Sequence, residues 1–400
     1  MTTGGRQVIA LEEYRTRRLA REELPDAAGE LLWRQYSNQV QVEFPSPATG
    51  GQWWLTAQGS VGHIPLTPGL SVALLPKVPI RSIFAMLEYA YGQQSFRFLD
   101  GWYEAQSLNE LYERLAEALA RRVLRRCRDG LARAYVEQTD ELSVVRGSLN
   151  VRRVANRPWD TRLECQYHEH TADIDDNQIL AWTLFVISRS GMCRPERALP
   201  VIHQAFRQLQ GAVSLTPVSG AACVGRRYHR LNADYAPLHA LCHFFLDTAG
   251  PHHTSGDRAM LPFLVDMANL FEGFVEGWMR TQLPPELRLV KQEQHAIGRH
   301  GGMSFVIDLV LRDRATEQAL IVLDTKYKRD VKTDDIAQVV AYAEITGCTE
   351  AILIYPTMPE RPIDTRIGAI RVRSVVFDLD DDIQQAGQRL LGKLFDQRVA

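Results

Sequence analysis

Apolar and polar positions follow the most regular pattern in the last third of the chain, where helical and strand-like periods succeed one another. From this pattern we predict a helix over Pro262–Thr281, strands over Leu287–Ile297, Met303–Leu311 and Leu320–Lys328, a helix over Asp334–Thr346 and a strand over Ala351–Tyr355. The DRATEQ loop between the second and third strands is short enough to join antiparallel neighbours. The helix after the third strand permits a parallel crossover. We therefore expect a mixed sheet flanked by helices, in the order αβββαβ.

The first two thirds of the chain show different patterns. Near the N-terminus, short apolar stretches are broken by Gly and Pro, as in GGQWWLTAQGSVGHIPLTPGLSVALLPKVP, which is typical of small strands with tight turns. After a possible capping box formed by Ser107 and Glu110, leucines recur at helical spacing to about Ala134. We expect a mixed α/β protein with three domains: a β-rich or mixed module (1–105), a largely helical middle region (106–255) and the αβββαβ domain (256–400).

Composition narrows the class of protein only modestly. The 400 residues, 45% hydrophobic and 24% charged, describe an ordinary chain with room for two or three cores. Because the formal net charge is only -2, any contact with DNA must come from local patches or from a partner. The six cysteines form no CxxC pair, which argues against structural zinc and a disulfide framework. No apolar run approaches the roughly 18 residues of a membrane span, so we expect a cytoplasmic protein.

Three charged residues interrupt the apolar strands of the C-terminal segment. Asp308 lies within FVIDLVL, and Asp324 and Lys326 lie at the end of ALIVLDTKYK. Residues two apart on a strand share a face, so one hairpin can present all three side chains together. Two carboxylates from adjacent strands suit Mg²⁺, which prefers oxygen ligands and assists reactions of phosphodiesters. The lysine ammonium can offset the charge that grows on a phosphate in the transition state.

The same residues also have a plainer interpretation, since Asp and Lys at strand ends are usually solvated and this spacing arises often by chance. Strands as apolar as FVIDLVL and ALIVLD, however, rarely tolerate an isolated carboxylate, because an unpaired buried charge costs several kcal/mol. A bound metal ion would remove that cost. The pattern therefore favours a metal site over solvated strand ends.

The two flanking helices add further candidates. Glu272 lies at the edge of the apolar stripe in MANLFEGFVEGWM, where it can reach the same cation or simply face solvent. Gln338 and Tyr342 are four apart and share a helix face, from which either can steady the lysine or touch the DNA backbone, although plain surface placement is equally common. Thr333 is the predicted N-cap of that helix and Gly347 its C-terminal stop.

The order of these residues resembles a known nuclease core. The helix with Glu272, then Asp308, then Asp324-Thr325-Lys326, then the helix with Gln338, is similar to the PD-(D/E)xK pattern. LDTKYK and DIAQVVAYA resemble the McrC family, the nuclease subunits of McrBC-type modification-dependent restriction systems. Further blocks, VGHIPLTPGLSVALLPKVP with FAMLEYAYG and RGSLNVRR with LECQYHEHTADIDDNQIL, are similar to the family's N-terminal and middle regions. The resemblance covers roughly residues 55–356.

This resemblance implies a Mg²⁺-dependent endonuclease that cleaves double-stranded DNA carrying modified cytosine. It implies Asp308, Asp324 and Glu272 as metal ligands, with Lys326 and Gln338 as further catalytic residues. It also implies an McrB-like AAA+ GTPase ring as partner, with which the N-terminal module docks and whose hydrolysis it stimulates. GTP would be bound by that partner, in agreement with the lack of a GxxxxGK[ST] loop here. One departure is Ile307, which precedes Asp308 where the superfamily pattern has proline.

Two alternative functions remain open at this level. The chain can be a non-cleaving adaptor that activates the GTPase, or a stand-alone Mg²⁺-dependent nuclease. Two groups of arginines are candidates for contact with DNA or a partner, although arginine runs on helices are most often solvated or salt-bridged. They are Arg121, Arg122, Arg125, Arg126 and Arg128, and Arg226, Arg227 and Arg230.

Overall fold

The computed structural model describes residues 7–67, 69–91, 107–157, 159–250, 253–255, 258–260, 262–297, 303–328 and 330–395. The strands are β1 Gln7–Glu12, β2 Thr16–Leu19, β3 Val40–Glu43, β4 Trp53–Ala57, β5 Ser60–Thr67, β6 Leu70–Leu75, β7 Ala134–Leu142, β8 Ser148–Leu149, β9 Leu163–Thr171, β10 His253–Ser255, β11 Arg258–Met260, β12 Phe263–Asp266, β13 Leu287–Ile297, β14 Met303–Asp313, β15 Ala319–Thr325, β16 Glu350–Tyr355, β17 Asp364–Ile367 and β18 Ile370–Val376. The α-helices are α1 Asp26–Gln35, α2 Ile80–Ala90, α3 Leu108–Asp129, α4 Val151–Asn156, α5 Asp175–Arg189, α6 Leu199–Gln210, α7 Tyr235–Asp247, α8 Met267–Gln282, α9 Thr333–Thr346 and α10 Ile383–Phe395. The expected mixed α/β class is confirmed. None of the helices in these ranges has the length and apolar character needed to cross a membrane.

The chain divides into two compact units, of which the first combines both ends of the sequence. It consists of Met1–Leu111 and Gly250–Ala400, and the second unit is Tyr112–Ala249. The two ends share one unit because β12 pairs antiparallel with β5 and because α8 packs against α2. The structure thus groups the predicted segments 1–105 and 256–400 together, although residue 256 itself lies outside the described residues.

The second unit contains a sheet in addition to the helices expected for the middle region. Alongside its helices it contains an antiparallel three-stranded sheet in the order β7-β9-β8. The β7 strand, AYVEQTDEL, is too polar and too exposed to show the apolar alternation that marks a strand. Helix α3 ends at Asp129 rather than near Ala134, and Gly130 follows with a φ of 98°, a conformation that favours glycine.

The C-terminal part of the first unit has the predicted αβββαβ order, formed by α8, β13, β14, β15, α9 and β16. Its six-stranded sheet runs β13-β14-β15-β16-β18-β17, antiparallel from β13 to β15 and parallel between β15 and β16. Helix α9 makes the parallel crossover and covers one face of the sheet, where Val339 and Ala343 pack with Val322 and Leu353 in one buried cluster. This core holds the middle strands rigidly, which fixes the direction of any side chain at their ends.

Three details of this segment differ from the prediction. Phe263–Asp266 forms β12 instead of the first turn of a helix, and Asp266 caps α8 by accepting hydrogen bonds from the backbone N–H groups of Ala268 and Asn269. Strand β15 ends at Thr325 rather than Lys328. The N-cap of α9 is Lys332 and not Thr333, whereas the predicted stop at Gly347 is confirmed by its left-handed φ of 70°.

Candidate active site

The pairing of β14 with β15 brings two carboxylates together. The antiparallel register pairs Leu309 with Leu323 and Val310 with Val322, so Asp308 and Asp324 come next and lie opposite each other. Asp324 is completely buried, while Asp308 is half-buried. A buried carboxylate on a central strand is costly without compensation, so its presence here needs a chemical explanation.

Lys326 lies on the same face as Asp324 because the extended backbone continues past the end of β15. The Lys326 N–H donates to the carbonyl of Ile354 at 2.8 Å, which prolongs the parallel pairing with β16. Its Nζ donates to Asp324 Oδ1 at 3.1 Å and lies 2.8 Å from Asp324 Oδ2. The lysine side chain is 17% exposed, so it reaches the surface beside the buried carboxylate.

Helix α9 holds the lysine from the other side. Lys326 Nζ also donates to Gln338 Oε1 at 3.1 Å, and Gln338 Nε2 donates to the Tyr342 hydroxyl at 2.8 Å. The first bond assigns the orientation of the Gln338 amide, because the lysine ammonium can only donate and so must face the amide oxygen, which leaves the amide nitrogen to donate to the tyrosine hydroxyl. At the start of the helix, Asp335 accepts hydrogen bonds from the backbone of Lys332 at 2.9 Å and from Lys328 Nζ at 2.6 Å.

Burial has the largest effect on the pKa of Asp324. The pKa of Asp324 is raised to about 7, chiefly by burial and to a smaller extent by the neighbouring Asp308, while Lys326 opposes the change. An ion pair by itself would lower the pKa of the carboxyl, so the cost of desolvation exceeds the benefit of the lysine here. For Lys326, burial lowers the pKa, but the carboxylates of Asp324, Asp335 and Asp308 outweigh burial and the pKa is raised overall. The lysine is therefore a cation at neutral pH.

Glu272 lies on α8, close to these residues but engaged elsewhere. Its Oε1 is 3.8 Å from Lys291 Nζ, which in turn lies 2.8 Å from Glu276 Oε2. Burial raises the pKa of Glu272, and the charge of Asp308 raises it further, so the two carboxylates are within electrostatic range. Sequence reasoning missed Lys291. The sequence signal for this lysine is the spacing of Glu272 and Glu276. They lie four residues apart on one face of α8, where two like charges repel and a nearby cation is favourable.

The structure thus brings together Asp308, Asp324, Lys326 and Gln338, and leaves Glu272 paired beside them. Among the residues that the structure describes, no three His, Cys, Asp or Glu side chains form a ready-made metal cluster. The donor set nevertheless suits Mg²⁺, because the completely buried carboxylate of Asp324 and the carboxylate of Asp308 opposite it supply the oxygen ligands that this ion prefers.

Several of the arginines singled out in the sequence are held in ion pairs within the second unit. Charged residues on helix faces are most often solvated or salt-bridged, and arginines held in ion pairs are less available to bind DNA. The pairs are Arg121 with Glu117, Arg126 with Asp234 and Arg226 with Asp176.

Comparison with known proteins identifies the family. No curated protein sequence matches the chain significantly. A chain in the refined half-complex of the tetradecameric assembly of Thermococcus gammatolerans McrB AAA+ hexamers with bound McrC has the same fold, with a TM-score of 0.57 and 19% identity over 97% of this chain and 100% of that one. A chain in the cryo-EM structure of the Thermococcus gammatolerans McrBC complex matches 70% of this chain and 88% of its own length, at 19% identity and a TM-score of 0.42. The family model for the McrBC 5-methylcytosine restriction system component matches residues 55–356, well over half of the sequence, so the chain belongs to this family.

Proposed function

We propose that this McrC-type subunit is a Mg²⁺-dependent endodeoxyribonuclease with a PD-(D/E)xK-like core. The observation that carries the proposal is the meeting of Asp308, Asp324 and Lys326 where the end of β15 lies against the middle of β14, and where a completely buried carboxylate lies beside a lysine cation. Perturbed carboxyls next to a fixed cation are typical of sites that act on phosphates. The αβββαβ order of the surrounding elements supports the same assignment.

In this proposal, Asp308 and Asp324 would hold the metal ion, with Glu272 as a third ligand. When bound, Mg²⁺ would supply a Lewis acid beside the DNA phosphodiester; in the hydrolysis, the oxygen of one water forms a P–O bond, the P–O bond to the leaving oxygen breaks, and that oxygen takes up a proton of the water. Lys326 offsets the negative charge that grows on the phosphate oxygens in the transition state. Gln338 holds the ammonium of Lys326 in place through the 3.1 Å hydrogen bond, so the cation does not have to be ordered during the reaction.

We further propose that the chain works with an McrB-like AAA+ GTPase, which binds the GTP and which this subunit stimulates. The similar Thermococcus structure contains McrB AAA+ hexamers with bound McrC. A net charge of -2 gives this chain no overall attraction to DNA, which fits delivery to double-stranded DNA by a partner. The family description favours DNA with modified cytosine as the substrate.

The test is cleavage of methylated and unmethylated DNA by the chain co-purified with its McrB-like partner, with Mg²⁺ and GTP. We expect Asp324→Ala and Lys326→Ala to abolish cleavage but to retain partner binding, because both side chains lie at the site. The matched controls are Asp364→Ala on the edge strand β17 and Lys393→Ala on α10, both exposed. Full cleavage by the two site variants would refute the proposal.

One observation favours the alternative of a non-cleaving activator. Among the described residues no three-ligand cluster is preformed, and Glu272 is paired with Lys291. GTP hydrolysis stimulated by the wild-type chain, without cleavage of methylated DNA at any Mg²⁺ concentration, would establish that role. Cleavage by the isolated chain with Mg²⁺ alone would instead identify a stand-alone nuclease.

A further inference from the structure

Tyr327 directly follows the site lysine and connects it to a distant part of the first unit. Tyr327 is buried, and the backbone turns tightly around it, since the Lys328 N–H donates to the Lys326 carbonyl at 3.0 Å. Its hydroxyl donates to Glu13 Oε2 at 3.2 Å, and its ring centroid lies 6.1 Å from that of Phe271, the neighbour of Glu272 on α8. Tyr327 therefore contacts Glu13, the residue that follows β1, and α8, the helix that carries a candidate ligand. The sheet β1-β6-β5-β12, which contains β1, is called the N-terminal sheet below.

Glu13 is an unusual residue to find at this position. It follows β1, is only 4% exposed, and accepts a hydrogen bond from the backbone N–H of Lys77 at 3.0 Å. Its other oxygen, Oε1, is buried and has no hydrogen-bond partner in the described structure. Burial raises the pKa of this carboxyl, while its contacts with Lys77 and Tyr327 lower it. An apolar residue of similar size would give a more stable core, so stability alone does not explain the glutamate.

The ammonium of Lys77 completes the cluster. Its Nζ lies 4.0 Å from the centroid of the Tyr327 ring and 5.0 Å from that of Tyr14. Glu13 and Lys77 come from the ends of two paired strands, since β1 runs parallel to β6 with Glu12 opposite Leu75. A displacement of this N-terminal sheet would therefore move both groups that hold Tyr327.

We infer that Glu13 is a positioning residue, which holds Tyr327 and thereby the backbone from which Lys326 reaches the phosphate. The inference rests on the proposed nuclease function. The lysine side chain is long and has many rotamers, so its direction depends on a fixed backbone and on Gln338. Through this contact, the state of the N-terminal sheet is transmitted to the catalytic lysine. The Lys326 backbone is thus held twice, by β16 on one side and by Glu13 through Tyr327 on the other.

The test uses the chain in complex with its McrB-like partner and three variants. Tyr327→Phe removes only the hydroxyl, Glu13→Ala removes its acceptor, and Glu13→Gln keeps an oxygen that can accept the same bonds. We expect the first two to lower kcat for DNA cleavage about tenfold with KM unchanged, since small misplacements of catalytic groups are costly. We expect Glu13→Gln to remain near wild type, and the double variant of Tyr327→Phe with Glu13→Ala to lose no more than either single variant. Tyr36→Phe, at a buried tyrosine of the N-terminal core, is the control.

A second measurement separates this inference from the proposed function. Hydrogen exchange of peptides covering residues 319–328 should be faster in Tyr327→Phe and Glu13→Ala than in wild type, Glu13→Gln and Tyr36→Phe. If exchange there is unchanged, or if the two losses in kcat are additive, the positioning role is overturned. If the wild-type complex does not cleave DNA, the proposed function fails, and the exchange measurement still decides whether Glu13 holds this segment.

Discussion

Replacing Asp324 by Asn should stabilise the metal-free protein at alkaline pH. The pKa of this carboxyl rises from an ordinary 3.8 to about 7, chiefly because the side chain is completely buried. At about 1.36 kcal/mol for each pKa unit, holding the charged form in the folded protein costs about 4 kcal/mol above neutral pH. Asparagine has a similar shape and carries no charge, so it avoids this cost.

The dependence on pH gives this prediction its sign. The unfolded chain loses the Asp324 proton as the pH passes 3.8, whereas the folded chain keeps it until about 7. Between these values the folded state binds more protons, so the free energy of unfolding of wild type falls as the pH rises and is fully reduced above about 7. The advantage of Asp324→Asn should therefore grow by about 3 kcal/mol between about pH 5 and about pH 8. The attraction of Lys326 for the charged carboxylate is already contained in the pKa of Asp324, because the lysine opposes the effect of burial.

The assay is urea unfolding with a chelator present, at a series of pH values, for wild type and variant. Asp330→Asn, at an exposed position of the same unit, is the control, and its difference from wild type should stay within about 0.5 kcal/mol. A difference between Asp324→Asn and wild type that is constant from pH 5 to pH 8, or that grows towards acid pH, would refute the reasoning. Either result would mean that the buried carboxylate is fully compensated by its neighbours.

Two further predictions concern packing and the site. Gly277→Ala should lower the free energy of unfolding, measured by chemical denaturation, by about 1–3 kcal/mol, because its Cβ would lie 2.2 Å from the Tyr89 carbonyl oxygen. The control is Gly392→Ala, whose Cβ would have nothing within 4 Å and which should not destabilise the protein. Equal effects of the two substitutions would contradict the close packing of α2 on α8. Gln338→Ala should lower the rate of DNA cleavage about tenfold while the unfolding midpoint hardly changes, because it removes the amide oxygen that accepts from Lys326 and orients the ammonium. An unchanged rate would show that the other contacts of the lysine are sufficient to orient it.

Local patterns were enough to predict most of the C-terminal segment. The two-residue period of β14 and β15 and the helical period of α9 are properties of consecutive side chains, so they can be read without knowing what those side chains contact. The same reasoning failed at Phe263–Asp266, because four residues that are mostly apolar fit a strand and a helical turn equally well. It also failed at β7, whose polar side chains carry no periodic signal.

The candidate site divides in a similar way. That Asp324 and Lys326 share a face follows from their spacing alone, and the motif order around them was enough to reveal the resemblance to McrBC restriction systems that the family match confirms. That Asp308 lies opposite Asp324 depends on the strand register, and that Glu272 pairs with Lys291 depends on how α8 packs on β13.

Local sequence patterns likewise could not predict that the two ends of the chain fold into one unit. The pairing of β5 with β12 and the hydrogen bond from Tyr327 to Glu13 join residues from opposite ends of the sequence. The amino-acid order sets the direction in which each side chain leaves its own backbone. What that side chain then meets is set by register and packing between distant segments, which form only when the whole unit folds and buries its apolar surface.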